Sequence, residues 1–488
     1  MTPPAETPQR LLLENCAHLA TFDDEGRELR NVDLLVEGPA VVAIGPNLRQ
    51  ALSLPAGNPA LDCSRKLVLP GFVNVHHHMW QVLTRVTPRI QNAELFDWLV
   101  ENYQIWENVD AEAVHIGALL SMSELLLTGC TTTSDHHYLF PESAPVELVD
   151  EELRAAEVLG MRFHPTRGSM TLGVDDGGLP PMSLVEKPDR VLADYERVIG
   201  KYHDTSPYSM RRIALAPCAP FNATEALFRE TAAVARRHGV LMHTHLAETR
   251  AEDVYCMERF GMRPLEYVAS LGWEGPDVWF AHCVMLNDEE VLRCASTGTG
   301  VAHCPSANAR LGSGVAPIPA MLDAGVRVGL GVDGSSSNDS GNLLGEARLA
   351  FQLHRSRWGV QSIDARAALR MLTRGGAAVL CNDKIGRLEV GACADIVAFD
   401  LDQYQYAGGA STDPLAALAF CGTKFHVDLS IINGRIVVED GAICGRVEVQ
   451  LVRQANAITA ALLEKVKTKR RIDYSVVVDW PRKGGEGQ

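Results

Sequence analysis

The feature that most constrains the fold is an alternation of short apolar segments with longer segments of helical periodicity. Helical stretches such as Ala111 to Leu127 and Thr224 to His238 separate segments that we interpret as strands. Eight β/α units in a row favour a (β/α)8 TIM barrel, although an open parallel sheet has the same periodicity. The predicted strands are Phe72 to His78, Thr131 to His136, Met161 to Thr166, Arg212 to Pro217, Val240 to His245, Val278 to His282, Gly300 to Cys304 and Val326 to Asp333.

The two ends of the chain consist instead of short β-rich runs punctuated by turn residues. Val32 to Val36 and Asp395 to Asp400 are such runs, and Asn433-Gly434 between two apolar runs predicts a tight hairpin. Because the ends of an inserted domain usually lie close together, we expect both chain ends to form one small β-sandwich domain beside the barrel.

These patterns divide the chain into three parts. We predict a discontinuous sandwich domain at residues 1–70 and 385–450, the barrel at 71–384 and a C-terminal helical tail at 451–488. The barrel is longer than usual, so we expect insertions at Val86 to Asp110 and Thr171 to Pro207. The tail has helical spacing from Asn456 to Lys469 and then becomes basic, and the sequence assigns it no function.

Composition narrows the functional classes. A formal net charge of −16 argues against nucleic acid or an anionic membrane as a partner, since both require a basic surface. Neither a signal peptide nor an apolar run long enough to span a membrane is present, and the twelve cysteines form no Cys-x-x-Cys pair. We therefore expect a cytoplasmic enzyme for a small molecule, with a homodimer as the default assembly.

Ionisable side chains fall at the ends of the predicted strands. His76 and His78 close the first strand and share one face, since side chains alternate along an extended chain. His245 ends the fifth strand, where a ligand belongs, and His243 is expected to fill the barrel interior. The other residues of this kind are Glu248 in the following loop, His282 at the end of strand six and Asp333 at the end of strand eight.

Their joint position matters because barrels of this type carry out catalysis at the carboxyl ends of their strands. His76, His78, His245 and Asp333 match the ligand set for one divalent cation, with zinc first and iron or manganese as alternatives. A structural zinc site would be closed and rich in cysteine, whereas this set contains no thiolate and leaves room for water. The sequence therefore predicts a catalytic metal site.

At these residues the sequence resembles the amidohydrolase superfamily, specifically its aminohydrolase branch. Within that branch it is similar to 8-oxoguanine deaminases and s-triazine hydrolases. The motifs that carry the resemblance are Leu69 to His78, Gly129 to Thr132, Asp135 to Pro141, Arg167 to Gly173, His245 to Glu248, Ala281-His282, His303 to Asn308, Gly331 to Gly334, Ser336 to Gly345 and Ile385 to Val397.

The resemblance implies a division of labour among these residues. Glu248 would move a proton from water to a ring nitrogen, His282 would orient the water, and Asp333 would accept a second proton. Strand four carries no lysine of the kind that bridges two metals in binuclear members, so one metal is expected. Its following segment, Ala216 to Phe221, lacks the arginine of guanine deaminases, which makes plain guanine a poorer candidate.

Substrate contacts follow less directly from the sequence. Gln81 has the donor and acceptor for a heterocyclic amide, and Trp80 beside it has a ring for stacking. The predicted activity is deamination of 8-oxoguanine or a related oxidised purine or pterin. The alternatives are an s-triazine amino- or chlorohydrolase, hydrolysis of a cyclic amide, and an inactive scaffold homologue. The further candidates for substrate contact are Arg85, His136, Arg167 and Asn308.

Overall fold

All eight apolar segments predicted as strands are strands in the computed structural model of the protein, which describes residues 10–422, 426–445 and 448–480. Residues 1–9, 423–425 and 446–447 of the predicted sandwich domain, and 481–488 of the predicted tail, lie outside the described residues. Within the described ranges the strands β1 to β19 are Arg10–Cys16, His18–Ala20, Glu28–Leu29, Val32–Glu37, Ala40–Gly45, Ala60–Asp62, Lys66–Pro70, Phe72–Asn74, Cys130–His137, Arg162–Ser169, Ala214–Pro217, Leu241–Leu246, Val278–His282, Gly300–His303, Arg327–Leu330, Ile396–Asp400, Leu429–Ile432, Arg435–Glu439 and Ala442–Ile443.

The helices mostly follow the strands of the barrel, as the alternating pattern requires. Within the same ranges the α-helices α1 to α17 are Leu48–Ala51, Leu95–Trp106, Ala111–Leu127, Leu148–Leu159, Pro188–Tyr202, Glu225–His238, Arg250–Phe260, Pro264–Ser270, Asp288–Thr297, Pro305–Arg310, Ile318–Asp323, Leu343–Trp358, Ala365–Arg370, Gly376–Val379, Gly409–Thr412, Pro414–Cys421 and Glu448–Arg470.

Strands β8 to β15 form one parallel sheet in which each strand pairs with the next along the chain. Its first and last strands meet through the amide of Val75, which donates to the carbonyl of Leu330 at 3.1 Å, and the amide of Asp333, which donates to the carbonyl of His76 at 3.1 Å. The sheet is therefore a nearly closed barrel, and the predicted TIM-barrel fold is confirmed.

The first barrel strand is shorter than predicted, because β8 ends at Asn74 rather than at His78. Beyond Asn74 the chain runs between the two neighbouring strands, and the carbonyl of His77 accepts from the amide of His136 at 2.7 Å. The three histidines therefore lie just past the regular strand, where the barrel opens.

The two predicted insertions differ in what they contain. Residues 86–110 add α2 between β8 and α3, as expected. Residues 171–207 contain α5, which is the barrel helix between β10 and β11. Only the part before α5 is therefore an added loop.

Strands from both chain ends lie together in a seven-stranded sheet of order β19-β18-β17-β16-β7-β2-β3, and β5-β4-β1-β6 form a four-stranded sheet. Side chains of β7 alternate between two cores: Val68 packs in a cluster with residues of the four-stranded sheet, whereas Leu67 and Leu69 pack in the barrel core. Asn433 and Gly434, both with positive φ (51° and 79°), form the predicted two-residue hairpin turn between β17 and β18.

The predicted C-terminal helix is present as α17, which packs against α2 and α3. It buries Ala455, Leu462 and Val466 in the barrel core. No helix among the described residues is long and apolar enough to cross a membrane.

Candidate active site

The predicted ligand residues come together at the end of the barrel where its strands terminate. His78 and His245 face each other with their Nε2 atoms 3.0 Å apart. Asp333 Oδ1 lies 3.3 Å from His78 Nε2 and 3.5 Å from His76 Nε2. Four side chains from three distant parts of the sequence thus point at one place, which we call the ligand cluster (His76, His78, His245 and Asp333).

Hydrogen bonds at the far sides of these rings determine their tautomers. His78 Nδ1 is 2.8 Å from the carbonyl of His136, and His245 Nδ1 is 2.7 Å from the carbonyl of Cys218. A carbonyl only accepts, so each Nδ1 carries the proton and each Nε2 is left with a bare lone pair.

The same reasoning reaches His76 through a second ring. His243 Nδ1 donates to the carbonyl of Trp279 at 2.9 Å, so His243 Nε2 accepts from His76 Nδ1 at 2.7 Å. His76 Nε2 therefore also has a lone pair, and this buried atom has no hydrogen-bond partner among the described residues. His243 fills the barrel interior as expected and also orients His76.

Three lone pairs beside a carboxylate require a positive charge between them. A proton on the rings is disfavoured because burial lowers the pKa of His76 and His78 well below the usual value and that of His245 to about 4. Ligands around a tetrahedral zinc ion, each about 2.0–2.2 Å from the metal, lie roughly 3.3–3.5 Å apart. The two separations from Asp333 Oδ1 match that spacing, and the 3.0 Å between His78 Nε2 and His245 Nε2 is slightly shorter. The residues present therefore fit a divalent cation.

Glu248 and His282 lie beside the ligand cluster. His282 Nε2 is 3.5 Å from Glu248 Oε2 and 3.9 Å from Asp333 Oδ2. Burial, followed by the nearby Asp333 carboxylate, raises the pKa of Glu248 well above its ordinary range. The loop that carries Glu248 is held by Glu252, whose carboxylate accepts the amides of Ala247 and Glu248 at 3.0 and 2.9 Å.

Two of these residues have a strained backbone. His282 and Asp333 have φ values of +74° and +62°, in the left-handed region that side chains other than glycine rarely adopt. Such conformations cost on the order of 1–3 kcal/mol each and persist only where the surrounding structure imposes them. The strand-to-loop turns therefore direct these two side chains into the site at some cost to stability.

A cavity opens above the ligand cluster, and His78, His245 and Asp333 line it. Gln81, Tyr138 and Asn222 contribute polar groups to its lining, and other lining residues are apolar. Gln81 fits closely because a Cβ on Gly334 would lie 1.9 Å from its Oε1, so only glycine leaves it room. The apolar wall comprises Leu95, Trp98, Leu99, Phe221 and Leu311.

The residues predicted to contact substrate divide into two groups. Gln81 lines the cavity, and Asn308 reaches the site through its Oδ1, which lies 2.9 Å from His282 Nδ1. His136 lies behind the ligand cluster, stacked on His245 with ring centroids 4.6 Å apart. The structure therefore brings Gln81 into the cavity and sets Asn308 beside His282 and His136 beside His245.

Trp80, Arg85 and Arg167 do not line this cavity. Trp80 is fully buried among aromatic rings, and Arg85 Nη2 pairs with Glu124 at 2.6 Å. Arg167 is fully buried and forms ion pairs with Glu186 and Asp194, both at 2.7 Å. Both guanidinium groups therefore pair with carboxylates of the protein, away from the cavity.

Sequence reasoning missed several residues of the site. Tyr138 lies two residues beyond His136 and so on the same face, a signal that alternation could have given. His243 was assigned only to the interior, although its i+2 spacing from His245 placed it beside the ligands. Trp98 lies on α2, within the predicted insertion, and Phe221 lies in the loop after β11. Neither segment was assigned to the site from the sequence.

Comparison with known proteins agrees with this geometry. The amidohydrolase family model matches residues 67–437. The chain is 42% identical to an 8-oxoguanine deaminase of Pseudomonas aeruginosa over 445 residues, covering 91% of this chain and 98% of that protein. It is 38% identical to a hydroxydechloroatrazine ethylaminohydrolase of Pseudomonas sp. over 450 residues, covering 90% and 93%.

A solved structure supports the same assignment. The crystal structure of an atrazine chlorohydrolase from Arthrobacter aurescens, complexed with zinc, superposes with a TM-score of 0.86. It shares 34% sequence identity, and the match covers 93% of this chain and 99% of that one. With a family model that matches most of its length and relatives of this identity, the chain belongs to the amidohydrolase family.

Proposed function

We propose that the protein is a metal-dependent hydrolase that removes an exocyclic amino group from a nitrogen heterocycle as ammonia, with 8-oxoguanine or a related oxidised purine or pterin as substrate. The observation that carries the proposal is the convergence of three imidazole lone pairs and Asp333 on the floor of a cavity. The 42% identity to an 8-oxoguanine deaminase supports the choice of substrate.

His76, His78, His245 and Asp333 would hold one divalent ion, and zinc is the best candidate for their nitrogen and oxygen donors. The zinc in the related chlorohydrolase supports this choice. When bound, such an ion supplies Lewis acidity and lowers the pKa of coordinated water from ~15.7 towards ~7. The chain offers no lysine in β11, which supports one ion rather than two.

Proton transfer would fall to Glu248, which lies beside the ligands. In this proposal its carboxylate takes a proton from the attacking water and delivers it to a ring nitrogen as the ring carbon becomes tetrahedral. His282 Nε2, 3.5 Å from Glu248, would orient the water and stabilise charge on the new oxygen. Asp333 would accept the second proton from the new hydroxyl group and pass it to the amino group, so that the C–N bond breaks, ammonia leaves and the ring carbonyl forms.

Substrate recognition would use both sides of the cavity. Gln81 and Tyr138, whose side chains lie 3.4 Å apart, offer donors and acceptors to the edge of a ring. Trp98 and Phe221 offer flat apolar surface to its face. A planar, polar-edged heterocycle meets both requirements.

An s-triazine amino- or chlorohydrolase is the second candidate. The apolar wall formed by Leu95, Leu99 and Phe221 would accept an N-alkyl group, and the 38% identical relative is an ethylaminohydrolase. An inactive scaffold homologue is a poor alternative because the ligands, Glu248 and His282 are all present and adjacent.

The test is metal analysis of the purified protein followed by assays of ammonia release from 8-oxoguanine, isoxanthopterin, guanine and hydroxyatrazine, with chloride release from atrazine. We expect one zinc per chain and the fastest turnover with 8-oxoguanine. Faster reaction of a triazine would favour the second candidate. Full activity in the metal-free protein would overturn the mechanism.

Three expectations about organisation are also part of this proposal. We infer that the two sheets of the chain ends form a sandwich domain separate from the barrel, with boundaries near residues 70 and 385. The core shared by Val68, Leu34 and Ile396 supports this division. The homodimer and the cytoplasmic location stay predictions from sequence.

A further inference from the structure

Helix α2 forms one wall of the candidate substrate cavity, although it belongs to the insertion after β8 rather than to the barrel. Its residues Leu95, Trp98 and Leu99 face the cavity. On this side Trp98 Nε1 donates to the carbonyl of Ser336 at 3.3 Å, three residues beyond Asp333. The position of α2 therefore sets the width of the cavity.

Two acidic residues of this region are held by the C-terminal part of the chain. Tyr474 Oη donates to Glu101 Oε2 at 2.7 Å. At the end of α2, Glu107 Oε1 accepts from Lys469 Nζ at 2.9 Å and from Arg470 Nη2 at 3.0 Å. The Glu107 side chain is only 2% exposed, so its carboxylate is shielded from water in both ion pairs.

Charge also favours this arrangement. Lys469 and Arg470 lie in the last turn of α17, where the helix dipole stabilises cations. Burial would raise the pKa of Glu107, but donation by Lys469, Ser183 and Arg470 outweighs it and lowers that pKa. The basic end of the tail, which the sequence left without a role, thus pairs with a buried carboxylate of the insertion.

The start of the insertion is bonded to the same part of the chain. Thr459 Oγ1 donates to the carbonyl of Leu83 at 2.8 Å, two residues after Gln81. The amide of Arg89 donates to the carbonyl of Tyr474 at 3.3 Å, and Trp480 Nε1 donates to the carbonyl of Arg89 at 3.0 Å. Both ends of the segment from 83 to 107 are therefore tied to residues 448–480, which we call the C-terminal strap.

The strap has its own anchorage, so it can act as a support. Leu462 and Val466 are buried in the barrel core, and Tyr474 is 2% exposed. We propose that the C-terminal strap is a positioning element that holds α2 and Gln81 at the distance required for substrate binding. Its effect on substrate affinity rests on the proposed function, whereas its effect on the order of α2 does not.

The first test is Tyr474→Phe in the zinc-loaded full chain, which removes only the hydroxyl that donates to Glu101. We expect KM for the best heterocycle of the substrate screen to rise about three-fold to ten-fold while kcat stays within about two-fold, because one charge-assisted hydrogen bond to the wall is lost and the ligand cluster is untouched. Lys465→Ala is the control within the strap, since Lys465 is exposed on α17, and it should change neither constant.

The second test is independent of activity. Hydrogen exchange of the zinc-loaded Lys469→Ala/Arg470→Ala variant should be at least about three-fold faster in Leu95–Trp106, with barrel amides unchanged and zinc content at the wild-type value. Unchanged exchange in α2 together with an unchanged KM overturns the proposal, and so does loss of zinc or a uniform rise in exchange. If exchange in α2 is faster but the wild-type protein deaminates none of the heterocycles, the proposed role of the strap stands and the proposed function is refuted.

Discussion

Two buried clusters of histidine and carboxylate lie near each other in this barrel. They differ in whether the lone pairs of their histidine nitrogens accept a hydrogen bond within the cluster. In the ligand cluster the Nε2 atoms of His78 and His245 face each other at 3.0 Å below an open cavity. The second cluster, which we call the acid cluster, consists of Asp135, His137 and Glu152, all fully buried.

In the acid cluster a hydrogen bond, rather than a metal ion, joins the histidine to a carboxyl group. His137 Nε2 donates to the carbonyl of Leu139 at 3.0 Å, which leaves a lone pair on Nδ1 facing Glu152 Oε1 at 2.7 Å. Burial raises the pKa of Glu152 well above its ordinary value, so Glu152 keeps a proton to donate to His137. A separation of 2.7 Å is a hydrogen bond and is shorter than the roughly 3.3 Å between two ligands of one zinc ion.

Residue type alone therefore does not define a metal site. Both clusters offer imidazole and carboxylate, yet only in the ligand cluster do lone pairs face each other with no proton available to join them. The five predictions that follow test this distinction.

The largest effect is expected for Asp333→Asn, which removes the only carboxylate of the ligand cluster. Both zinc content and turnover should fall, the latter by about 10⁴-fold, because a ligand and a proton acceptor are lost together. Metal analysis beside kinetics at saturating zinc separates the two losses. Wild-type zinc content and turnover in this variant would remove Asp333 from the site.

Glu248→Gln should leave the zinc in place and lower kcat by about 10³-fold, because the amide cannot shuttle a proton. Glu258→Gln is the matched control, since Glu258 is exposed on the following helix. A rate near that of the wild type would contradict the assignment of Glu248.

His243→Phe should weaken zinc affinity by about 10–100-fold, because His76 loses the acceptor that fixes its tautomer while the ring beside Trp279 is kept. Competition with a chelator measures the affinity. An unchanged affinity would mean that the ring of His76 is held by packing alone.

In the acid cluster, Glu152→Gln should change neither zinc content nor kcat, because glutamine imitates the protonated carboxyl group and donates to His137. Zinc per chain is again the measurement. A drop in zinc content from two ions to one would show that the acid cluster binds a cation and would reverse the comparison.

The smallest effect is a pH dependence of stability. Glu152 keeps its proton in the folded protein but releases it on unfolding once the pH exceeds its ordinary pKa, so rising pH favours the unfolded state. As the pH rises above about 5, the free energy of unfolding should therefore fall less steeply in Glu152→Gln than in the wild type, as measured by urea denaturation. If the free energy of unfolding depends on pH in the same way in both proteins, Glu152 does not carry the proton.

Much of the barrel was predictable because its strands are buried on both faces and stand out as short apolar runs. Strand ends were less accurate: β8 stops at Asn74, although the carbonyls of His76 and His77 still accept the amides of Asp333 and His136. The helix α5 was assigned to an insertion because it lies in a long connection between two strands, although its residues have a clear amphipathic period. The acid cluster was not anticipated, since its members look like any other buried polar residues.

The sequence by itself determined the order of the β/α units and the presence of His76, His78, His245, Glu248 and Asp333 at their ends, because side-chain periodicity is a local property. Only the tertiary structure decided which lone pairs face each other, that Arg167 pairs with buried acids, and that the strap supports α2. These depend on contacts between residues as far as 391 positions apart, such as Trp480 and Arg89. A chain determines such contacts only once its elements have packed.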